Sequence, residues 1–399
     1  MKIIFTVLDG LGDHPIDAFS GKTPLEKADT PNMDSLASEG ICGVLDPVFT
    51  KALPTSEEGH FALFGYDPNN YRIQRGLFTS IGSGLEMEKG DVALRGNFGT
   101  VDEEMNVVDR RAGRIKNPEP LIDALNGIEI DGVKFYLKSA KEHRVGILMK
   151  GPGLSGQISD GDAHYEKLIK AIQEIRPLDN TKEAEFTAEV LNKFLEKTHN
   201  ILKDHPLNKE RKEKGLPVAN YILTRGASEL QNLPTFKERY GLSACCIAGK
   251  VLYKQIGEVL GMDLIKVKGA NGLSTTNLKG KIEAAISCIK EHDFVFLHIK
   301  ATDSLAEDGN YLEKKDFIEK VDKNIKPFLD LKDTLIVITA DHSTCCDLKR
   351  HCDAKIPVLI FGNGKDDVSS FSEKECTNGG LGEIKQTELI NKVINLVKQ

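Results

Sequence analysis

The run Leu335–Asp341 (LIVITAD), followed at once by His342, does most to limit what this chain can fold into. Leu335, Ile336, Val337 and Ile338 in succession suit a strand covered on both faces, and such strands belong to mostly parallel α/β sheets layered by helices. Open sheets of that kind collect ligands where their strands end, and Asp341-His342 stands at such an end. Taken alone, an adjacent Asp-His pair reads equally well as a loop carboxylate beside a surface imidazole. Other segments shift the balance. Lys2–Leu8 (KIIFTVL) has the composition of a central strand and stops at Asp9-Gly10, while Phe294–Lys300 (FVFLHIK) is a third strand-like run followed by Asp303. His351 lies just before Ile356–Phe361, which reads as the next strand. Hard carboxylate oxygens mixed with imidazole suit Mn²⁺, Mg²⁺ or Zn²⁺, and about five or six such ligands are enough for two ions.

A two-metal centre for phosphoryl transfer also needs a nucleophile, and Pro54–Phe64 (PTSEEGHFALF) supplies a candidate. Ser56 reads as a helix N-cap, Glu57 and Glu58 fall in the first turn, and Phe61, Ala62 and Phe64 begin an apolar face. An ordinary capping serine explains the pattern, yet free amides at a helix N-terminus also hold phosphate, so capping and nucleophilic attack are compatible there. His60 follows one turn later on the same face.

The early and late parts of the chain share α/β grammar. Thr30 reads as an N-cap before Pro31, with Met33, Leu36 and Ala37 as the buried stripe and Gly40 as the stop. Phe317, Val321 and Ile325 recur at helical spacing, and Thr387–Val397 closes the chain as an amphipathic helix through Leu389, Ile390, Val393, Ile394 and Val397. Because Asp9 and Ser56 come early and Asp303 to His351 late, the metal-binding domain is discontinuous: residues 1–79 and 233–399, with 80–232 inserted. Within the insert, Arg95, Arg110, Arg111, Arg114 and Arg144 accumulate although the chain carries a formal net charge of −7. Arginine forks hold carboxylate and phosphate bidentately. The mixed-charge stretch Lys203–Lys214 reads as a solvated helix end or linker.

The net charge argues against nonspecific nucleic-acid or anionic-membrane binding as the main role. At 399 residues, with 40% hydrophobic and 28% charged residues, the chain has room for two ordinary globular domains. No apolar stretch approaches the roughly 20 residues that span a bilayer, and Met1-Lys2 runs directly into a strand, which predicts a cytoplasmic protein. The eight cysteines include the pairs Cys245-Cys246 and Cys345-Cys346, and no Cys-x-x-Cys, so they read as small buried hydrophobes, neither a disulfide framework nor a zinc ribbon. Cys345, Cys346 and Cys352 lie near His342 and His351 in sequence, but the hard ligands already present make thiolate ligation the weaker reading.

In order along the chain, Asp9-Gly10, Ser56-Glu-x-Gly-His60, Asp303, Asp341-His342 and His351 resemble the alkaline-phosphatase superfamily, and within it the cofactor-independent phosphoglycerate mutases of the archaeal type. The likeness runs through Val7–His14 (VLDGLGDH), Gly21–Asn32 (GKTPLEKADTPN), Gly65–Pro68 (GYDP), Gly90–Phe98 (GDVALRGNF), Asp109–Arg114 (DRRAGR) and Gly269–Asn277 (GANGLSTTN). It implies an alkaline-phosphatase-like, mostly parallel sheet with helices on both faces and a smaller inserted α/β domain. It also implies interconversion of 2- and 3-phosphoglycerate without bisphosphoglycerate, through a phosphoserine on Ser56. One ion is then held by Asp9, Ser56, Asp341 and His342, and the other by Asp303, His351 and a residue one helical turn after Asp303. The family pattern places histidine at that turn, whereas this chain has Glu307, next to Asp308. A glutamate ligand hardens the site and favours Mn²⁺ or Mg²⁺ over Zn²⁺, with ligation by Asp308 or a weak second ion as the alternatives. The resemblance further implies a substrate clamp on the insert made of Arg95, Arg110, Arg114, Asp162, His164 and Arg225, able to close over the phosphoserine and keep water out. A metal-dependent phosphatase or phosphodiesterase on the same core is the nearest alternative activity, and a non-catalytic metal-binding relative the alternative from another class.

Overall fold

The computed structural model describes residues 1–47, 55–68, 70–71, 74–162, 171–229 and 233–398. The chain divides into two compact units, Met1–Tyr71 with Pro234–Gln399, and Arg72–Leu233. His164 lies outside the described residues.

The first unit is built on an eight-stranded sheet. Its centre is the Lys2–Leu8 strand, paired in parallel on one side with Phe294–Ile299 and on the other with Thr334–Thr339. The Thr334–Thr339 and Phe294–Ile299 strands are buried at every position, which explains why they read as continuous apolar runs instead of alternating ones. Ile356–Phe361 runs antiparallel between Thr334–Thr339 and Gly40–Asp46, and the other pairings of this sheet are parallel. Helices pack in two groups, as burial of both sheet faces requires. Pro31–Ser38, Leu278–Cys288 and Tyr311–Ile325 belong to one, and Ser56–Leu63 and Val251–Val259 to the other. Thr30 precedes Pro31 as expected, but Gly40 is already the first residue of its strand. At the C-terminus, a short 3-10 turn leads into the helix Leu389–Lys398, which buries Leu389, Ile390, Val393 and Ile394.

Aromatic side chains fill the space under the Ser56–Leu63 helix. Phe294 lies 4.5 Å from Phe236, 5.7 Å from Phe5 and 6.0 Å from Phe64 between ring centroids, and all four rings are fully buried.

The second unit carries an antiparallel sheet in which Val92–Val101 pairs with both Arg144–Lys150 and Tyr221–Glu229. The helix Lys182–Lys203 lays Ala188, Leu191, Phe194, Leu195 and Leu202 on it at helical spacing, with Phe194 stacked on Phe135 at 3.8 Å. The Lys-rich stretch forms the end of this helix and a short helix, Pro206–Glu213, capped by His205.

One disulfide, Cys345–Cys352, corrects the reading of every cysteine as a buried hydrophobe. The residues sit on a two-stranded hairpin, Ser343–Cys345 against Arg350–Cys352, whose register brings their Cα atoms to 5.9 Å, an ordinary separation for a disulfide. The hairpin turn, not a spacing motif, creates the pair.

Two predictions follow from this packing. Phe294→Ala, by opening a cavity among four buried rings, should destabilise the first unit by about 3–5 kcal/mol, read as a lowered denaturant midpoint. Glu373 has a buried Oε1 without a hydrogen-bond partner among the described residues, and burial pushes its carboxyl up to about 7. A carboxyl raised in the folded state contributes stability below its unfolded pKa and loses it as pH rises through the folded one. Stability should therefore fall between about pH 4.5 and 7, and Glu373→Gln should remove that fall, gaining roughly 3 kcal/mol at pH 8 and nothing at pH 4 in paired melting curves.

Candidate functional site

Three neighbouring parallel strands end in acid. Asp9 follows Lys2–Leu8, Asp341 follows Thr334–Thr339, and Asp303 lies in the first turn of Ala301–Glu307, the helix after Phe294–Ile299. Strand order fixes their convergence, because the strands bearing Asp303 and Asp341 flank the strand bearing Asp9. All three carboxylates are at most 1% exposed. Gly10 is required at this junction: it has φ +65°, and a Cβ there would meet Thr344 Oγ1 at 2.5 Å and Asp303 Cβ at 2.7 Å.

Charge in this buried space is offset by groups that the strand pattern partly signals. Lys300 Nζ lies 3.2 Å from Asp9 Oδ1 and 2.5 Å from Asp303 Oδ2. Burial works against its charge, but Asp9 and its neighbours outweigh burial and hold its pKa well above the usual range. His298 Nε2 is 3.0 Å from Asp9 Oδ2, and burial pushes its imidazole down to about 3, so the neutral ring donates to Asp9. Burial alone would raise Asp9, yet Lys300 and the imidazoles of His298 and His342 keep its carboxyl well below the usual range. Neither His298 nor Lys300 was singled out from sequence. The available signal was two polar residues at strand period in an otherwise apolar run.

Ser56 reaches the same cluster through His342. It is the first residue of the helix Ser56–Leu63, and the N-cap is Thr55, whose side chain and Glu58 form a reciprocal capping box. The Ser56 N-cap expectation is thus displaced by one residue. Capping by Thr55 leaves the Ser56 hydroxyl available, and its Oγ lies 3.2 Å from His342 Nε2 with the residue only 4% exposed. Gly59 permits this approach, since a Cβ there would collide with the Asp341 carbonyl oxygen. His60, fully buried, places Nδ1 2.7 Å from Ser56 O and 3.1 Å from Asp341 Oδ2. Burial opposes its protonation, but Asp341 raises its pKa above the ordinary value.

His342 joins two candidate ligand clusters. Asp9, Asp341 and His342 form one, and Asp303, His342 and His351 the other, each with donor atoms within 4.8 Å of one another. Its Nδ1 is 3.2 Å from Thr344 Oγ1, which donates to Asp303 Oδ1 at 2.6 Å, so the two clusters are tied through one threonine. Burial lowers the His342 pKa in spite of Asp341, keeping the neutral form that ligates metal. The His342 and His351 rings stack at 3.6 Å. The residues fit divalent cations: the donors are hard oxygen and imidazole, and buried Asp341 Oδ2, flanked by the His60 and His342 imidazoles at 3.1 and 3.2 Å, makes no well-aligned hydrogen bond among the described residues. Glu307, at the end of its helix, is exposed and belongs to neither cluster. Its carboxyl is pushed up by partial burial and by Asp303, against the pull of Lys300 and His351.

On the second unit, Arg95 lies directly across from Arg225 in the paired strands, and Arg144 across from Asn97. Buried His143 is pushed down to about 4, first by desolvation and then by the positive charges of Arg144, Arg111 and Arg95. Arg110 is paired with Asp162, and Arg114 is exposed. His143 was missed because nothing in Glu142-His-Arg144 distinguishes it from a turn residue.

Comparison with known proteins identifies the family of the chain. Residues 1–395 match the Metalloenzyme superfamily model. The chain is 44% identical over 406 residues to 2,3-bisphosphoglycerate-independent phosphoglycerate mutase 1 of Archaeoglobus fulgidus, covering 100% of this chain and 98% of the relative. It is 41% identical over 402 residues to the protein of the same description from Methanocaldococcus jannaschii, covering 99% and 97%. The solved cofactor-independent phosphoglycerate mutase from Thermoplasma acidophilum superposes with a TM-score of 0.76 at 35% identity over 100% of both chains. With its acid-tipped parallel strands and a likeness that spans its whole length, the chain belongs to the archaeal-type 2,3-bisphosphoglycerate-independent phosphoglycerate mutases, isomerases of the metalloenzyme superfamily.

Proposed function

We propose that this chain interconverts 2-phosphoglycerate and 3-phosphoglycerate by way of a phosphoserine on Ser56. The observation that carries the reading is Ser56 Oγ at a helix N-terminus, 3.2 Å from His342 Nε2 and beside a buried carboxylate cluster. Asp9, Ser56, Asp341 and His342 would hold one divalent ion and Asp303, Glu307 and His351 the other, Mn²⁺ or Mg²⁺ by hardness of the donors. When bound, such ions offset phosphate charge and lower the pKa of a coordinated hydroxyl.

The residues of the chain supply the rest. Ser56 Oγ attacks phosphorus in line, its bond to phosphorus forming as the bond to the substrate oxygen breaks, and the hydroxyl proton given up by Ser56 is balanced by one taken up by the departing glycerate oxygen; amides of the first helical turn would face the phosphoryl oxygens. The glycerate then re-presents its other hydroxyl, which takes the phosphoryl group and regenerates Ser56. No water enters the balance, and the near-complete burial of Ser56 suits a transfer that must avoid hydrolysis. Arg95, Arg110, Arg114 and Arg225, with Asp162 and His164, are the substrate-binding residues in this reading, their planar forks matched to carboxylate and phosphate.

Two measurements test it. Metal-stripped protein resupplied with Mn²⁺ or Mg²⁺, without bisphosphoglycerate, should isomerise 3-phosphoglycerate with little free phosphate, and Ser56→Ala should lower kcat by at least about 10³-fold. Phosphate release without isomerisation would assign a phosphatase instead. Glu307→Ala should raise the Mn²⁺ concentration for half-maximal activity by about ten- to a hundredfold while Glu307→His restores it; an unchanged metal requirement would remove Glu307 from the ligand set.

A further inference from the structure

The hairpin that carries His351, a candidate metal ligand, has two faces. Ser343 pairs with Cys352, Thr344 with His351 and Cys345 with Arg350, so alternation along the strands sends Thr344 and His351 one way and Ser343, Cys345 and Cys352 the other. The first face meets Asp303 and His342. The second meets the loop after Lys2–Leu8, where His14 forms a cluster with Cys345 and Cys352, their donor atoms within 4.8 Å of one another. Asp347 lies 3.2 Å from His14 Nδ1 and also comes within 4.8 Å of Cys345 in a cluster with Asp13. None of these four groups has a part in the proposed phosphoryl transfer.

We infer that Cys345, Cys352, His14 and Asp347 form a separate site for a thiophilic divalent cation, Zn²⁺ by preference, which is opened by reduction of the Cys345–Cys352 disulfide. Two sulfurs, one imidazole and one carboxylate are a donor set that zinc takes in tetrahedral geometry, unlike the hard oxygen set of the catalytic cluster. At a Zn–S distance of about 2.3 Å, tetrahedral sulfurs stand roughly 3.8 Å apart. Rotation about the Cys side chains can supply that spacing, because the Cα atoms are already 5.9 Å apart.

The frame around the site is preformed. Buried Lys314 donates to Asp13 Oδ2 at 2.8 Å and to Thr344 O at 2.9 Å, and Asp13 Oδ1 accepts from Cys346 N at 2.9 Å, so the His14 loop is fixed to the hairpin on the side next to the sulfurs. Thr344 N also donates to Gly12 O at 3.1 Å. Cys345 and Cys352 are buried, whereas the His14 and Asp347 side chains are 34% and 49% exposed, which gives a cation an entry path from solvent.

The chemistry balances with a dithiol as reductant. The dithiol passes two electrons and two protons to the Cys345–Cys352 bond and becomes a disulfide itself; Zn²⁺ then displaces the two thiol protons to solvent. The oxidised chain holds no thiolate at this position and binds no cation there. Since His351 lies on the other face of the same hairpin, the site reports the redox state of the strand that positions it.

The test uses the full chain, metal-stripped, in oxidised and dithiol-reduced forms, titrated with Co²⁺ as an optical stand-in for Zn²⁺. The reduced form should develop a thiolate-to-Co²⁺ charge-transfer absorption that the oxidised form lacks and that one equivalent of Zn²⁺ bleaches. The catalytic cluster has no sulfur and contributes nothing to that band. His14→Ala should weaken it, and Cys345→Ser with Cys352→Ser should abolish it. If those variants do not fold, the comparison of oxidised and reduced native chain decides alone. A reduced chain with two additional titratable thiols and no band would overturn the inference, as would a disulfide that resists reduction in the folded chain, or a band of unchanged strength in His14→Ala.

Discussion

Three carboxylates buried at adjacent strand ends are the constraint to which the rest of the first unit answers. Asp9, Asp303 and Asp341 are brought together by parallel pairing that aligns the Lys2–Leu8 strand with both neighbours, and no arrangement of surface loops would hold them so close out of water. Burying charge of one sign is costly unless it is paired or bound to cations. Lys300 bridges two of the three, His298 donates to one, and His60 faces the third. One ammonium against three carboxylates leaves an excess of negative charge that divalent ions can complete.

The same centre explains the details of its surroundings. Thr55 takes the capping role so that Ser56 keeps its hydroxyl, and Gly59 removes the side chain that would hold the helix away from Asp341. His342 sits between the two ligand clusters, with Thr344 passing its second ring nitrogen on to Asp303. Hydrogen bonds of this kind fix the orientation of a ligand ring before any cation arrives.

Much of this was legible from local pattern. The strand runs, their terminal acids and the order of Asp9, Ser56, Asp303, Asp341, His342 and His351 are one-dimensional signals, and the α/β architecture follows from unbroken apolar strands separated by amphipathic helices. The roles of His298 and Lys300 were less visible, because a polar residue in a buried strand shows its purpose only through what stands on the neighbouring strand. Thr55 and Ser56 are both capping residues by type, and the local sequence does not say which of two adjacent ones starts the helix.

The amino-acid sequence by itself determined the class of sheet, the helix that presents Ser56 and the identity of the acids and imidazoles at the strand ends, since each rests on an unbroken apolar run, a period of about 3.6 residues or a residue type within a short segment. Tertiary structure alone decided which groups meet: His298 with Asp9, Arg95 across from Arg225, and Cys345 with Cys352 beside His14. Those partnerships depend on strand order and register between segments up to hundreds of residues apart, and register is set by the packing of whole faces, which no local spacing encodes.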